Sequence, residues 1–149
     1  MCGIAAHFTF AGHATPLDLA LIAHRGPDAT GDWLSSDGLC WLGATRLAIL
    51  DLSATGAQPM SDPVTGSVIV ANGEIYNHRA LRTEIGAAFN WRGTSDTETL
   101  LQAYAYWGHR VLDRLKGMFA FVIHDHAREE LFIARDRLGI KPLYYTLDE

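Results

Sequence analysis

Apolar and polar positions change period along this chain, and each change marks an element. Residues 2–9 (CGIAAHFT) form a short apolar-rich run of strand length. Thr15-Pro16 supplies an N-cap and a proline at the first helical position, which predicts a short helix through about Ala23. HRGPD (24–28) reads as a turn. Strands follow around 31–36 and 39–50, joined at Ser36-Asp37-Gly38. The stretch 51–67 is rich in Ser, Thr, Gly and Pro and reads as loop.

SVIVA (67–71) reads as a short buried strand ending at Asn72-Gly73. Helical spacing then predicts a helix over 77–91, capped by Asn77, with Leu81, Ile85, Ala88 and Phe89 on one stripe. Ser95 and Glu98 have capping-box spacing and open a second helix carrying Leu100, Leu101 and Tyr104, stopped by Gly108. A short helix is expected at 110–116. MFAFVIHD (118–125) and ELFIARD (130–136) predict a hairpin, and PLYYTL (142–147) a further strand. Strands at both ends with helices between them indicate α+β rather than alternating α/β. Several strands are apolar on both faces, which fits sheets covered on both sides.

Composition adds bounds to this picture. A chain of 149 residues suits one domain. With 48% hydrophobic and 19% charged residues it reads as globular. Net charge is −5, without a basic cluster, which argues against nucleic acid or an anionic membrane as partner. Two cysteines do not make a disulfide scaffold, so a cytoplasmic, reducing compartment is expected. No apolar run has bilayer length. No Lys or Arg precedes Arg25, and Asp18 interrupts the only candidate apolar core of a leader, so no signal peptide is expected.

Four places carry candidate chemistry. Cys2 stands where removal of Met1 would leave a thiol and a free α-amine on one residue. The two groups titrate within about one unit of each other, the logic of an N-terminal nucleophile. On its own, a Cys near a terminus is more often a small apolar residue. Arg46 is the only charge between Leu39 and Leu50, on the strand face shared by Cys40, Leu42, Ala44, Ala48 and Leu50. It suits either a substrate carboxylate or an internal ion pair. Asn72-Gly73-Glu74 suits a hairpin turn by default, but helix-like residues follow it, so an amide and a Gly N–H in an oxyanion hole is the alternative. Asp96 lies at a helix start, where the dipole alone favours a carboxylate. His124-x-His126 falls at the expected hairpin tip and reads as exposed, not as a zinc site. Cys40 reads as core. No phosphate-loop or dinucleotide fingerprint occurs.

In order, CGI (2–4), HRGPD (24–28), TRLAILDLSATGAQPM (45–60), NGEIYNHRALR (72–82), SDTETLL (95–101), LKGMFAFVIHD (115–125) and RDRLGIKPLYY (135–145) span nearly the whole chain. Together they resemble the glutaminase domain of class II, N-terminal nucleophile, glutamine amidotransferases. HRGPD and GAQPM favour the branch found in glutamine-hydrolysing asparagine synthetases. The resemblance implies an αββα sandwich of two antiparallel sheets between helical layers. It implies Cys2 as nucleophile, with the Asn72 side chain and the Gly73 N–H as oxyanion hole. Arg46 would hold the glutamine α-carboxylate, with Leu47, Ala48, Ile49 and Leu50 lining the site, and Glu74 and Asp96 would lie around the α-amino group.

In that family the domain continues past the PLYY strand and joins an ATP-binding synthetase domain. Residues 2–149 are therefore expected to be an incomplete glutaminase domain with no cofactor or metal of its own. ATP and Mg belong to the synthetase domain. L-glutamine is the implied substrate, with ammonia passed to an acceptor, aspartate by branch resemblance. The rival readings are a non-catalytic glutamine-binding or scaffold domain, and an amidotransferase for another carboxylate.

Overall fold

The computed structural model describes residues 1–147. Its elements are β1 (Gly3–Phe8), β2 (Ala29–Leu34), β3 (Cys40–Arg46), β4 (Met60–Ser61), β5 (Val68–Ile75), α1 (His78–Ile85), α2 (Asp96–Trp107), β6 (Gly117–Asp125) and β7 (Glu130–Arg135), with short 3-10 segments between them. The strands form two antiparallel sheets, ordered β1-β3-β2 and β4-β5-β6-β7. The fold is α+β.

Period-two alternation decides what each sheet face covers. Cys40, Leu42 and Ala44 of β3 pack with Ile4, Ala6 and Phe8 of β1 against Val68, Val70 and Val122 of the second sheet. The intervening residues of the second sheet, Ile69, Ala71, Ile75, Phe119, Phe121 and Ile123, face α1 and α2 through Leu81, Ile85, Leu100, Leu101 and Tyr104. Burying each of these large side chains contributes roughly 1.5–3 kcal/mol. The outer face of the first sheet lies under a 3-10 segment, Leu19–Arg25, whose Ile22 carbonyl accepts from Thr45 Oγ1 at 3.1 Å. The layers therefore run 3-10 segment, sheet, sheet, helices.

Several sequence expectations are corrected. The first helical segment starts at Leu19 rather than after Thr15-Pro16, because Asp18 caps it through Ala20 N–H while Thr15 N–H is taken by His7 Nδ1. β3 ends at Arg46 rather than at residue 50, because the Leu47 and Ala48 N–H groups turn to Cys2 Sγ and Asp28. The strand expected over 67–71 runs on through Asn72-Gly73 to Ile75, so that pair is no turn. The helix expected over 77–91 stops at Ile85, where Gly86 takes φ +62°, and Ala88 is exposed. Asn77 does not cap it, since its side chain bridges Arg114 O and Lys116 N–H. The helix expected at 110–116 is a 3-10 segment, Gly108–Asp113. Residues 142–147 form no strand: no described strand pairs with them, and Tyr144, Tyr145 and Leu147 are exposed. His124 is not at an exposed tip but within β6, against Trp33 at 5.1 Å between ring centroids.

Candidate active site

The site is a cleft of about 810 Å³, part of it open to solvent, where the N-terminal end of β1 and the C-terminal end of β3 meet the C-terminal half of β5. Cys2, Arg46, Leu47, Ile49, Leu50, Gly73, Glu74 and Asp96 all line it, although they come from four separate stretches of chain. Ala48 and Asn72 do not. Ala48 donates its N–H to Asp28 Oδ2 at 2.8 Å, and Asn72 is 5% exposed, its Oδ1 buried without a partner.

Cys2 is half-buried and held from two sides. Leu47 N–H donates to its sulfur at 3.4 Å, and Arg25 Nε donates to its carbonyl at 3.1 Å. The HRGPD run thus clamps the candidate nucleophile through Arg25 and fixes the 46–48 backbone through Asp28. The sequence reading missed this role, although Arg25 and Asp28 were charges in an otherwise tight turn. The other cysteine, Cys40, is fully buried, and burial pushes its thiol up to about 12.

Arg46 has no carboxylate partner among the described residues. Its guanidinium donates to the carbonyls of Ser53 (3.0 Å) and Asp51, closing the 51–56 loop. Carbonyls satisfy hydrogen bonds without neutralising charge, so Arg46 keeps a full positive charge on the cleft wall. Gly56 leaves room for it: a Cβ there would collide with Arg46 Nη2. Asp51 organises the same loop, accepting from the Ser53 hydroxyl, Thr94 N–H and the Thr55 hydroxyl, which together hold its carboxyl far below the usual range. Asp51 and Gly56 also line the cleft and were not singled out from the sequence.

The exposed edge of β5 supplies the most specific feature. Phe119, opposite Gly73, turns its N–H and C=O to Asp136, away from β5. Gly73 is therefore in a non-hydrogen-bonded pair, and its N–H points off the free edge. The neighbouring edge N–H groups are taken by side chains: Ala71 by Gln58 Oε1 at 2.7 Å, and Ile75 by Asp96 Oδ2 at 2.8 Å. Among the described residues no side chain takes the Gly73 N–H. A Cβ at Gly73 would strike the Met118 carbonyl, so glycine is required by the closeness of β6. Asp96 is thus a strand-edge acceptor as well as a helix-start residue, and the Glu74 carboxylate has no partner among the described residues.

The sequence model of the glutamine amidotransferase domain family matches residues 1–149. The chain belongs to this family. Among curated relatives, this amidotransferase domain is 41% identical to amidase chry2 of Gibberella zeae across all of its length and 24% of the relative's. It is 44% identical to asparagine synthetase B (glutamine-hydrolysing) of Escherichia coli, over 87% of this chain and 23% of that protein. With asparagine synthetase (glutamine-hydrolysing) 3 of Bacillus subtilis it shares 43% identity over 84% of this chain and 20% of the relative. The domain thus spans about a quarter or less of the length of the relatives it matches. No described helix is long and apolar enough to cross a membrane, and no described His, Cys, Asp and Glu cluster could hold a metal ion.

Proposed function

We propose that this domain hydrolyses L-glutamine to glutamate and ammonia through a thioester on Cys2. The reading rests above all on the unpaired Gly73 N–H, aimed into the cleft that Cys2 lines. With Met1 removed, the Cys2 α-amine takes the thiol proton and Sγ forms a bond to the amide carbon. The carbonyl oxygen becomes an oxyanion that accepts from Gly73 N–H; the family resemblance adds the Asn72 amide, which must turn into the cleft to reach it. The ammonium returns its proton to the leaving nitrogen, the C–N bond breaks and ammonia departs. Water then attacks the thioester, the amine again takes a proton, and the C–S bond breaks to give glutamate and the thiol.

Arg46 pairs with the α-carboxylate of glutamine, while Glu74 and Asp96 receive its α-ammonium. Leu47, Ile49 and Leu50 form the wall beside Cys2, and Ala48 fixes that wall from behind through Asp28. The names of the glutamine-hydrolysing asparagine synthetases among the relatives support a further step, passage of the ammonia to a synthetase domain; its use of ATP and Mg, and aspartate as acceptor, rest on the family resemblance alone. Two free cysteines support a cytoplasmic setting.

Ammonia release from L-glutamine, followed beside intact mass to score Met1, tests the reading. Cys2→Ala is expected to lose all measurable turnover, and each oxyanion donor to be worth about 10²–10³ in kcat. A Cys2→Ala protein that releases ammonia at the parent rate overturns it.

A further inference from the structure

Charges on the cleft wall are unequally matched. Arg46 keeps its charge but donates to loop carbonyls, Asp51 accepts from hydroxyls and Thr94 N–H, and Asp96 accepts from Ile75 N–H. Lys141 differs from all of them in having no oxygen partner for its charge among the described residues. It lines the cleft, is only 3% exposed, and has no carboxylate within ion-pair distance among the described residues. Its position is fixed, because the Asp136 carboxylate accepts the N–H groups of Leu138, Ile140 and Lys141 itself. Among the described residues, the only partner of its ammonium is the thioether of Met1. A buried ammonium without an anion is costly while Met1 covers it, and an anion formed in the cleft beside it would relieve that cost.

Building on the glutaminase reading, we propose that Lys141 is an electrostatic residue of that reaction, supplying positive charge to the Cys2 thiolate and the tetrahedral oxyanion. Met1 is both the group over the Lys141 ammonium and the residue whose removal frees the Cys2 α-amine. One cleavage would therefore liberate the nucleophile and uncover the cation. Glutamine's amide is neutral while the species after it are anionic, so the charge acts on kcat rather than on KM. The other charged groups around the reacting end are Arg25 at the Cys2 carbonyl, and Arg46, Asp51, Glu74 and Asp96 on the cleft wall.

The test compares the parent chain with Lys141→Met, Lys141→Gln and Lys141→Arg, all with Met1 removed. Two quantities are measured: glutaminase kcat and KM, and the rate of Cys2 alkylation by iodoacetamide at pH 7. Alkylation reports the thiolate without needing turnover, and mass mapping separates Cys2 from buried Cys40. Both neutral variants are expected to lose about tenfold or more in kcat, with KM within about twofold, and to alkylate several-fold more slowly; Lys141→Arg restores both. Kcat and alkylation unchanged within twofold in the neutral variants, while Cys2→Ala is inactive, would remove Lys141 from the mechanism and leave the glutaminase reading standing. If the parent releases no ammonia, the glutaminase reading fails, and the alkylation comparison still decides the effect of Lys141 on Cys2.

Discussion

At the scale of single residues, the cleft depends on where side chains are missing as much as on where they are present. Gly73 lets β5 approach β6 closely, at a position whose register leaves its N–H on the open edge. Gly56 admits the Arg46 guanidinium to the 51–56 loop. The two differ in what a methyl group would meet. At Gly73 it meets backbone, which cannot yield cheaply, whereas at Gly56 it meets the far end of a flexible side chain. Gly56→Ala is therefore expected to displace the guanidinium without unfolding the domain. Loss of a charge-assisted partner costs about 1.5–3 kcal/mol, so KM for glutamine should rise on the order of tenfold or more, with the melting temperature within a few degrees of the parent. Steady-state kinetics beside a thermal melt check this. An unchanged KM would mean that Arg46 does not hold the substrate carboxylate.

Elements were legible where pattern and local chemistry agreed. The β6–β7 hairpin and the start of α2 follow directly from alternation and from Ser95, which accepts from Glu98 N–H at 3.1 Å. The capping box is only half made, because the Glu98 side chain serves a tertiary purpose. It is 1% exposed and accepts from Arg82 Nη2 at 2.9 Å, Arg92 N–H and Gly93 N–H, tying α1 and α2 to the chain between them. No local rule could show this, since Arg82 lies sixteen residues away. The same limit explains the misread ends of β3 and β5: side chains of Cys2, Asp28, Gln58 and Asp96, distant in sequence, decide which N–H groups stay free. Breaking a buried pair from one side typically costs 3–5 kcal/mol. Arg82 is partly exposed, so Arg82→Met is expected to cost about 2–3 kcal/mol after allowing for solvent screening. The midpoint of urea unfolding should fall accordingly, with an unchanged slope. A midpoint equal to the parent's would show that Glu98 is satisfied by Arg92 and the backbone N–H groups without Arg82.

Across the whole molecule, buried ionisable groups set how stability answers to pH. Burial works against the charge of Asp62, Asp125 and Asp136. It is outweighed by the Thr65 hydroxyl and N–H, by Arg128 and the Tyr104 hydroxyl, and by the ring of N–H groups around Asp136. These three and Asp51 are all held below the usual carboxylate range. For a group depressed in the folded state, the unfolded chain binds more protons, so stability rises with pH across the gap. The carboxylates thus contribute fully above about pH 4, the ordinary Asp value, and the contribution is lost as pH falls through their folded values. His78 and His124 have the same sign for another reason: burial disfavours the imidazolium in both. Their loss begins near the ordinary His value of about 6.5. The urea midpoint should therefore be level from pH 8 to about 7, decline gently towards pH 5, and fall steeply below 4. His124→Phe keeps a ring against Trp33 and removes one proton site, so it should flatten the gentle limb and leave the steep one. A parent midpoint that rises between pH 7 and 5, or a His124→Phe protein with the parent's slope there, would show that the imidazole does not resist charging in the fold.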